Sequence, residues 1–371
     1  MNTSPARLGG IAATRGQPGG VTPQDYRLLD GAGAKALEAG LVNGPWYRCQ
    51  VARPTLKALM QRSDARALRD TALWFALIIG SGVLAFMLRD SLWAIPAFIV
   101  YGALYGGSSD SRWHESGHGT AFRTRWMNEV LYQIASFMVM RRPTVWRWSH
   151  ARHHSDTLVT GRDPEIAVQR PPSLVTLLLN LFAIKSSVDV LRQVVANAFG
   201  HVDPEEASFI PESERAKVVW EGRAWLAVYG AVAAACVASG SIWPALFIGL
   251  PSFYGAWLYV FFGLPQHAAL PENVLDHRLN CRTIYMNPLF RFLYWNMNYH
   301  LEHHMFPMVP FHALPRLHDE IRQDCPPAYA SCWAAYKEMF PAILRQRRDP
   351  SHHIVRPLPS ASAPSISGVS A

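Results

Sequence analysis

The sequence predicts an all-α membrane protein: two transmembrane helical hairpins, four spans in all, beneath a cytoplasmic helical cap that holds a metal site. Three observations carry that prediction. Hydrophobic residues make up 50% of the 371 and charged residues only 17%, and 13 Trp and 13 Tyr suit the aromatic belts that anchor spans at a bilayer interface. The apolar residues fall into two pairs of long runs. Nine of the 15 histidines sit in the segments that follow those pairs. The mean hydropathy of +0.02 is modest because long polar segments dilute the runs.

In chain order, residues 1–50 are rich in Gly, Ala and Pro and lack the short apolar core of a secretory signal, so a partly flexible cytoplasmic segment is expected. A single membrane domain follows over 51–345. Its first run, Thr71 to Leu88, stops at Arg89 and Asp90, and Leu92 to Tyr105 resumes it, reaching span length if Gly106 to Ser109 is included. The second pair runs from Ala224 to Ser239 and from Ile242 to Leu264, broken only by Gly240 and Ser241. A span needs about 20 apolar residues, which places the four at about 71–88, 92–109, 224–240 and 242–264. Val130 to Met140 is too short to cross. Ser173 to Val195 carries Lys185, Asp189 and Arg192 and reads as a helix lying in the interface. Residues 346–371, ending SASAPSISGVSA, have the composition of a disordered tail.

Each hairpin crosses and returns, so both termini and all nine clustered histidines share one face. The two short turns carry only Arg89 among basic residues, and positive-inside bias makes the shared face cytoplasmic. The formal net charge of +8 then suits anionic headgroups. No aromatic-basic signature points to nucleic acid. Five cysteines form no C-x-x-C pair and are expected to be reduced thiols.

The histidines come as His114 and His118 in HESGH, His150, His153 and His154 in HARHH, the single His267, and His300, His303 and His304 in HLEHH. Offsets of three and four residues share one helix face. Adjacent members such as His153 and His154, or His303 and His304, diverge by about 100° and can reach different ions. Lone histidines are usually solvated or hydrogen-bonded, which is the expectation for His201, His277, His312, His318, His352 and His353. Imidazole suits Zn, Cu, Fe and Ni alike, but nine imidazoles are enough for two metals, and a redox pair suits oxygen activation, with iron the preferred ion. HESGH also satisfies the zinc-protease pattern H-E-x-x-H, with Glu115 as base; that reading leaves the other clusters without a role. A metal transporter would need polar ligands within the spans, and the four runs contain no His, Asp or Glu. Glu115, Asp156, Asp163, Glu165 and Glu302 are candidate partners for the histidines' second ring nitrogens. Asn296 and Asn298 are candidates to hold a metal-bound water.

The three clusters, their order and their place after the hairpins resemble the membrane fatty acid desaturase and hydroxylase superfamily. The resemblance spans Leu73 to Ile321 and is strongest in NYHLEHHMFPMVPFHALPRLH, which looks like acyl-lipid desaturases. It implies a di-iron centre held by His114, His118, His150, His153, His154, His267, His300, His303 and His304, with His267 in GLPQH preferred over His277 as the ninth ligand. It implies O2 as co-substrate, desaturation of a fatty acyl chain of a lipid, and location in a bacterial inner membrane. HESGHGTAFRTRWMNEVLY and HHSDTLVTGRDPEI are more similar to a bacterial subgroup that includes an oxygenase of rhizopine catabolism, which implies a di-iron hydroxylase or demethylase of a small molecule fed by a Rieske-type ferredoxin. No haem motif, iron-sulfur cysteine spacing or dinucleotide fingerprint is present. A separate ferredoxin or cytochrome with its reductase is therefore expected as electron donor. Arg141, Arg142, Arg147 and Arg152 offer a basic surface either to it or to lipid phosphates, and Trp113, Trp146 and Trp148 either line a substrate tunnel or, the preferred reading, mark the interface.

Overall fold

A computed structural model describes residues 23–29 and 31–359, and among them every named element is helical. Extended chain is confined to two isolated bridges, Thr283 to Tyr299 and Ile284 to Tyr329. Helix α1, Asp64–Met87, starts where the Ser63 hydroxyl accepts the Arg66 N–H, with Asp64 in the first turn complementing the helix dipole. At 24 residues it is about 36 Å long, enough to cross a hydrocarbon layer of about 30 Å. Leu73, Ile79, Val83, Leu84 and Met87 all face outward. So much exposed apolar surface would drive aggregation in water and is natural against lipid.

The return arm is α2, Ala94–Gly102, which runs through a π-helical turn, Ala103–Gly107, into α3, Ser109–Gly117. Trp74 of α1 pins the turn, its indole N–H lying 2.9 Å from the Leu104 carbonyl and 2.8 Å from the Ser108 hydroxyl. Helix α4, Arg125–Val139, lies against α3, and α5, Pro143–Ser155, follows after a left-handed Met140. The apolar stretch read as interfacial is Leu174–Asn180 plus α6, Ile184–Ala198, bent by 74° at a left-handed Ala183. Helix α6 packs on α7, Glu212–Ser239, which begins 12 residues before the apolar run does (212 against 224).

The run 242–264 is where structure and sequence part most. Instead of one straight helix it forms three short ones, Trp243–Phe247, Pro251–Tyr254 and α8, Trp257–Gly263. Pro244, Pro251 and a left-handed Gly249 (φ +96°) interrupt the backbone ladder. The break lets Gly255 sit against α2: a Cβ there would stand 1.8 Å from the Gly102 carbonyl oxygen, so no larger residue fits. Two helical stretches, Arg53–Met87 and Glu212–Ser239, are long and apolar enough to cross a membrane, and the bent pair 174–198 makes a third if taken as one span.

After α8 the chain leaves the apolar girdle for a region of short helices and loops that contains α9, His300–Met305. The largest core cluster joins the two regions through Trp74, Leu104, Phe262, Tyr294, Trp295 and Leu301. Expectations for the terminal segments fall in part on residues outside those described, 1–22, 30 and 360–371. Within the described chain, Ala32, Ala36 and Cys49 are buried, and Ile354 packs into a core cluster with its N–H on the Ala269 carbonyl at 2.8 Å.

Candidate metal centre

Three helices and one loop aim imidazoles at a common point. HESGH lies on α3 and its C-cap, HARHH ends α5, HLEHH is most of α9, and His267 follows the short 3-10 turn Leu264–Gln266 after α8. The girdle side is set by the fully buried Arg112, whose guanidinium donates to the Ser108 carbonyl at 3.1 Å, the Phe292 carbonyl at 2.9 Å and the Leu293 carbonyl. That clamp ties the first box to the segment leading into the third.

The nine rings sort into two adjoining groups. His114, His118, His150, His154 and His303 form one, and His153, His267, His300 and His304 the other; within each, one ring nitrogen per residue lies within 4.8 Å of all the rest. The adjacent pairs divide, His154 from His153 and His303 from His304, as their 100° divergence on a helix requires. The closest approaches are between Nε2 atoms: His114 to His303 2.7 Å, His150 to His114 3.0 Å, His154 to His150 3.1 Å, His300 to His267 2.8 Å and His304 to His300 3.0 Å. Nitrogens about 2.1 Å from a shared ion and at right angles around it stand about 3.0 Å apart, so this spacing fits ligands of a metal. The buried His118 Nε2 has no hydrogen-bond partner, which is the state of a nitrogen reserved for an ion.

Electrostatics agree with that fit. Burial first, and then the neighbouring rings, push His114, His118, His154, His267, His300, His303 and His304 well below the ordinary imidazole range. Neutral rings are the form that binds metal.

The outer nitrogens are held by fewer carboxylates than the sequence offered. Glu165 accepts from His150 Nδ1 at 3.0 Å and Asp163 from His153 Nδ1 at 2.8 Å. Burial opposes ionisation of Glu165, yet the His150 contact holds its carboxyl down at about 2. Asp163 also accepts the Leu158 and Glu165 backbone N–H groups, each at 2.8 Å, and is thereby locked in place. The other three serve the scaffold. Asp156 pairs with Arg162 at 3.0 Å. Glu302 bridges His318 Nδ1 at 2.5 Å and the Thr283 hydroxyl at 2.7 Å. Glu115 accepts the Phe311 N–H at 2.9 Å, which ties it to the scaffold, and burial raises its carboxyl to about 7. Asn296 accepts from Arg291 and donates to the Phe311 carbonyl, whereas Asn298 donates to the Ile284 carbonyl and keeps a buried Oδ1 without a hydrogen-bond partner.

Two partners escape sequence reading. His267 Nδ1 donates to the Asn280 carbonyl at 2.8 Å, and the Thr157 hydroxyl lies 3.2 Å from His304 Nδ1 while donating to the His153 carbonyl at 2.7 Å. Backbone carbonyls and lone threonines carry no motif. His267, not His277, joins the four-histidine group. His277 stands just behind it, its ring 5.2 Å from that of His304 and stacked on Trp46.

A cavity of about 380 Å³ opens onto His114, His150, His153, His267 and His300. Its wall is largely apolar, with Val139, Val168, Leu177, Val190 and Leu264. Set into it is an ion pair, Arg141 to Asp110 at 2.8 Å, with the guanidinium over the rings of Trp113 at 4.2 Å and Trp146 at 4.7 Å. Two expectations change here. Trp113 is buried beside the histidines and does not mark an interface. Of the arginines expected to face a donor, Arg141 lies in the cavity wall and Arg142 is buried against Glu206 and Asn197, while Arg147 and Arg152 stay partly exposed beside Glu129 and Asp156.

Comparison with known proteins bears on the same region. The profile of the family described as fatty acid desaturase matches residues 90–336, two-thirds of the chain and all nine histidines. A relative in Crepis alpina, the Delta(12) fatty acid dehydrogenase, is 22% identical over 292 residues, which cover 69% of this chain and 75% of that protein.

Proposed function

The chain belongs to the fatty acid desaturase family and is an oxidoreductase, and on that premise we propose that it is an O2-dependent di-iron enzyme that introduces a double bond into a fatty acyl chain of a membrane lipid. The observation that carries the reading is the division of nine imidazoles into groups of five and four beside one apolar cavity. When bound, the two irons supply the oxidising power, drawn from O2, that breaks an unactivated C–H bond. The relative's name, a fatty acid dehydrogenase, supports an acyl substrate. In this reading the outgoing arms of the two hairpins are α1 and α7, the return arms are α2 with its π turn and the broken segment 243–263, and the domain 51–345 keeps both termini and the histidines on the cytoplasmic side of an inner membrane.

The chain's own residues bind, orient and exclude. Five and four imidazoles hold the metals, while Glu165, Asp163, Thr157 and the Asn280 carbonyl fix ring orientation. Trp113, Tyr259 and the aliphatic wall line the cavity with apolar surface, which disfavours water beside a bound chain. Conversion of –CH2–CH2– and O2 to –CH=CH– and two waters requires two further electrons and two protons. An external ferredoxin or cytochrome supplies the electrons in this account.

A second reading is favoured by one specific feature. The Asp110–Arg141 pair gives the cavity a polar contact that a plain methylene chain does not use, which suits hydroxylation or demethylation of a compact polar molecule by the same centre. Lipid profiling of cells expressing the wild type beside His303→Ala separates the two. A new double bond that appears with the wild type alone is expected; an unchanged lipid profile in cells that accumulate iron-loaded protein would move the assignment to the small polar substrate.

A further inference from the structure

We infer that the strap of residues 43–50, centred on Trp46, is the face on which a small one-electron carrier protein docks to reduce the metal centre. The inference rests on the oxidoreductase reading above and adds the place where electrons enter. The cavity wall takes in His114, His150, His153, His267 and His300, whereas His118, His154, His303 and His304 are not part of it. Substrate therefore occupies one side of the nine rings. The strap covers another.

Trp46 is half-buried, and its ring lies flat on His277, with centroids 4.2 Å apart and planes 10° from parallel. His277 is buried, and its ring centroid is 5.2 Å from that of His304. Two ring contacts thus lead from the surface to a member of the four-histidine group. The strap is held in place for such a role. Trp46 Nε1 donates to the Ser155 carbonyl at 3.1 Å, at the end of the helix bearing the second box, and the Tyr47 N–H donates to the Leu275 carbonyl at 2.9 Å. The Cys49 N–H reaches the Met305 sulfur at 3.2 Å, at the end of the third box. This contact surface spans both boxes.

Its composition suits a transient protein contact. Trp46 and Tyr47 supply aromatic anchors, the kind of residue that dominates interface energies. Around them stand Arg48, Arg152, Arg162 and Arg278, against Asp156, Asp276 and Asp324, four guanidinium groups to three carboxylates, a small positive excess that favours an acidic carrier. Each turnover draws two electrons, so two reduced carriers dock in succession, each oxidised by one electron, and solvent provides the two protons.

The test mixes iron-loaded protein, first oxidised in air to the diferric form and then freed of oxygen, with a reduced [2Fe–2S] ferredoxin and follows oxidation of the ferredoxin, one per ferric ion reduced, by its visible absorbance. Trp46→Ala is expected to lower the second-order rate constant about 30-fold, the effect of truncating an interface tryptophan. Exposed Arg48→Glu is expected to lower it about tenfold at low salt and less at high salt. Dithionite, which needs no docking surface, is expected to reduce wild type and both variants equally, with iron content unchanged. If Trp46→Ala loses iron, Arg48→Glu alone decides. The inference is overturned if ferredoxin reduces the variants as fast as the wild type, or if dithionite reduces the wild type and ferredoxin does not. A wild type that binds no iron would instead overturn the metal reading.

Discussion

Replacing His303 with alanine is expected to lower bound iron from two per chain toward one and to abolish turnover, whereas His201→Ala, in an exposed loop, should leave both unchanged. His303 has no exposure, and its Nε2 lies 2.7 Å from His114 Nε2 within the five-histidine group. Loss of an outer hydrogen-bond partner costs a metal site about 10–100-fold in affinity; loss of a ligand exceeds that. The four-histidine group loses no member. Its neighbour in sequence, His304, belongs to the other group, so His304→Ala should empty the second site and spare the first. Iron analysis of the purified variants reads both outcomes. Full retention of two irons by either variant would contradict the division into five and four.

Acid should release the metals and destabilise the protein. Seven histidines have folded values pushed well below 6.5 by burial and by each other. Below pH 6.5 each takes up a proton in the unfolded chain and not in the folded one, so stability falls as pH falls, by about 1.4 kcal/mol per unit for each ring. His153 runs the other way. Burial disfavours its charged form, but Asp163 lifts it above the ordinary value, so its contribution is fully present below pH 6.5 and fades as pH rises past the raised value. Glu165, held at about 2, keeps its contribution until pH falls through its ordinary value of 4.5. Seven rings against one leave a net loss of stability as pH falls below 6.5. Iron retention and thermal midpoint should therefore fall on acidification below pH 6.5. A protein that holds its iron and its melting point unchanged at pH 5 would contradict the electrostatics of the site.

The grouping of the histidines was legible in the sequence because helix geometry is local. Offsets of three and four residues are fixed by 3.6 residues per turn, and the split of His153 from His154 follows from the same arithmetic. What brings α3, α5 and α9 together is not local, and neither are the residues that support them. Thr157, the Asn280 carbonyl and His277 owe their places to how the 264–284 segment folds back, which no spacing announces. Asp110 was the nearest miss: it stands one turn before His114 on the same helix face, and its partner Arg141 was read as a surface charge because basic residues beside a span usually are. The fold was legible in outline and lost in its arms. Hydropathy counts apolar residues, and 242–264 has enough; Pro244, Gly249 and Pro251 decide that they do not form one rod. In the same way α7 extends 12 residues before its apolar run, because Glu212 to Arg223 is helical without being hydrophobic.

The central claim is that nine imidazoles cradle a pair of redox ions. Metal analysis of the protein, purified in mild detergent without added metal and followed by loading with ferrous iron, tests it most directly. Two irons per chain are predicted, together with nitrogen ligands at about 2.1 Å in X-ray absorption at the iron edge. A single tightly held zinc per chain, with no iron taken up, would contradict it.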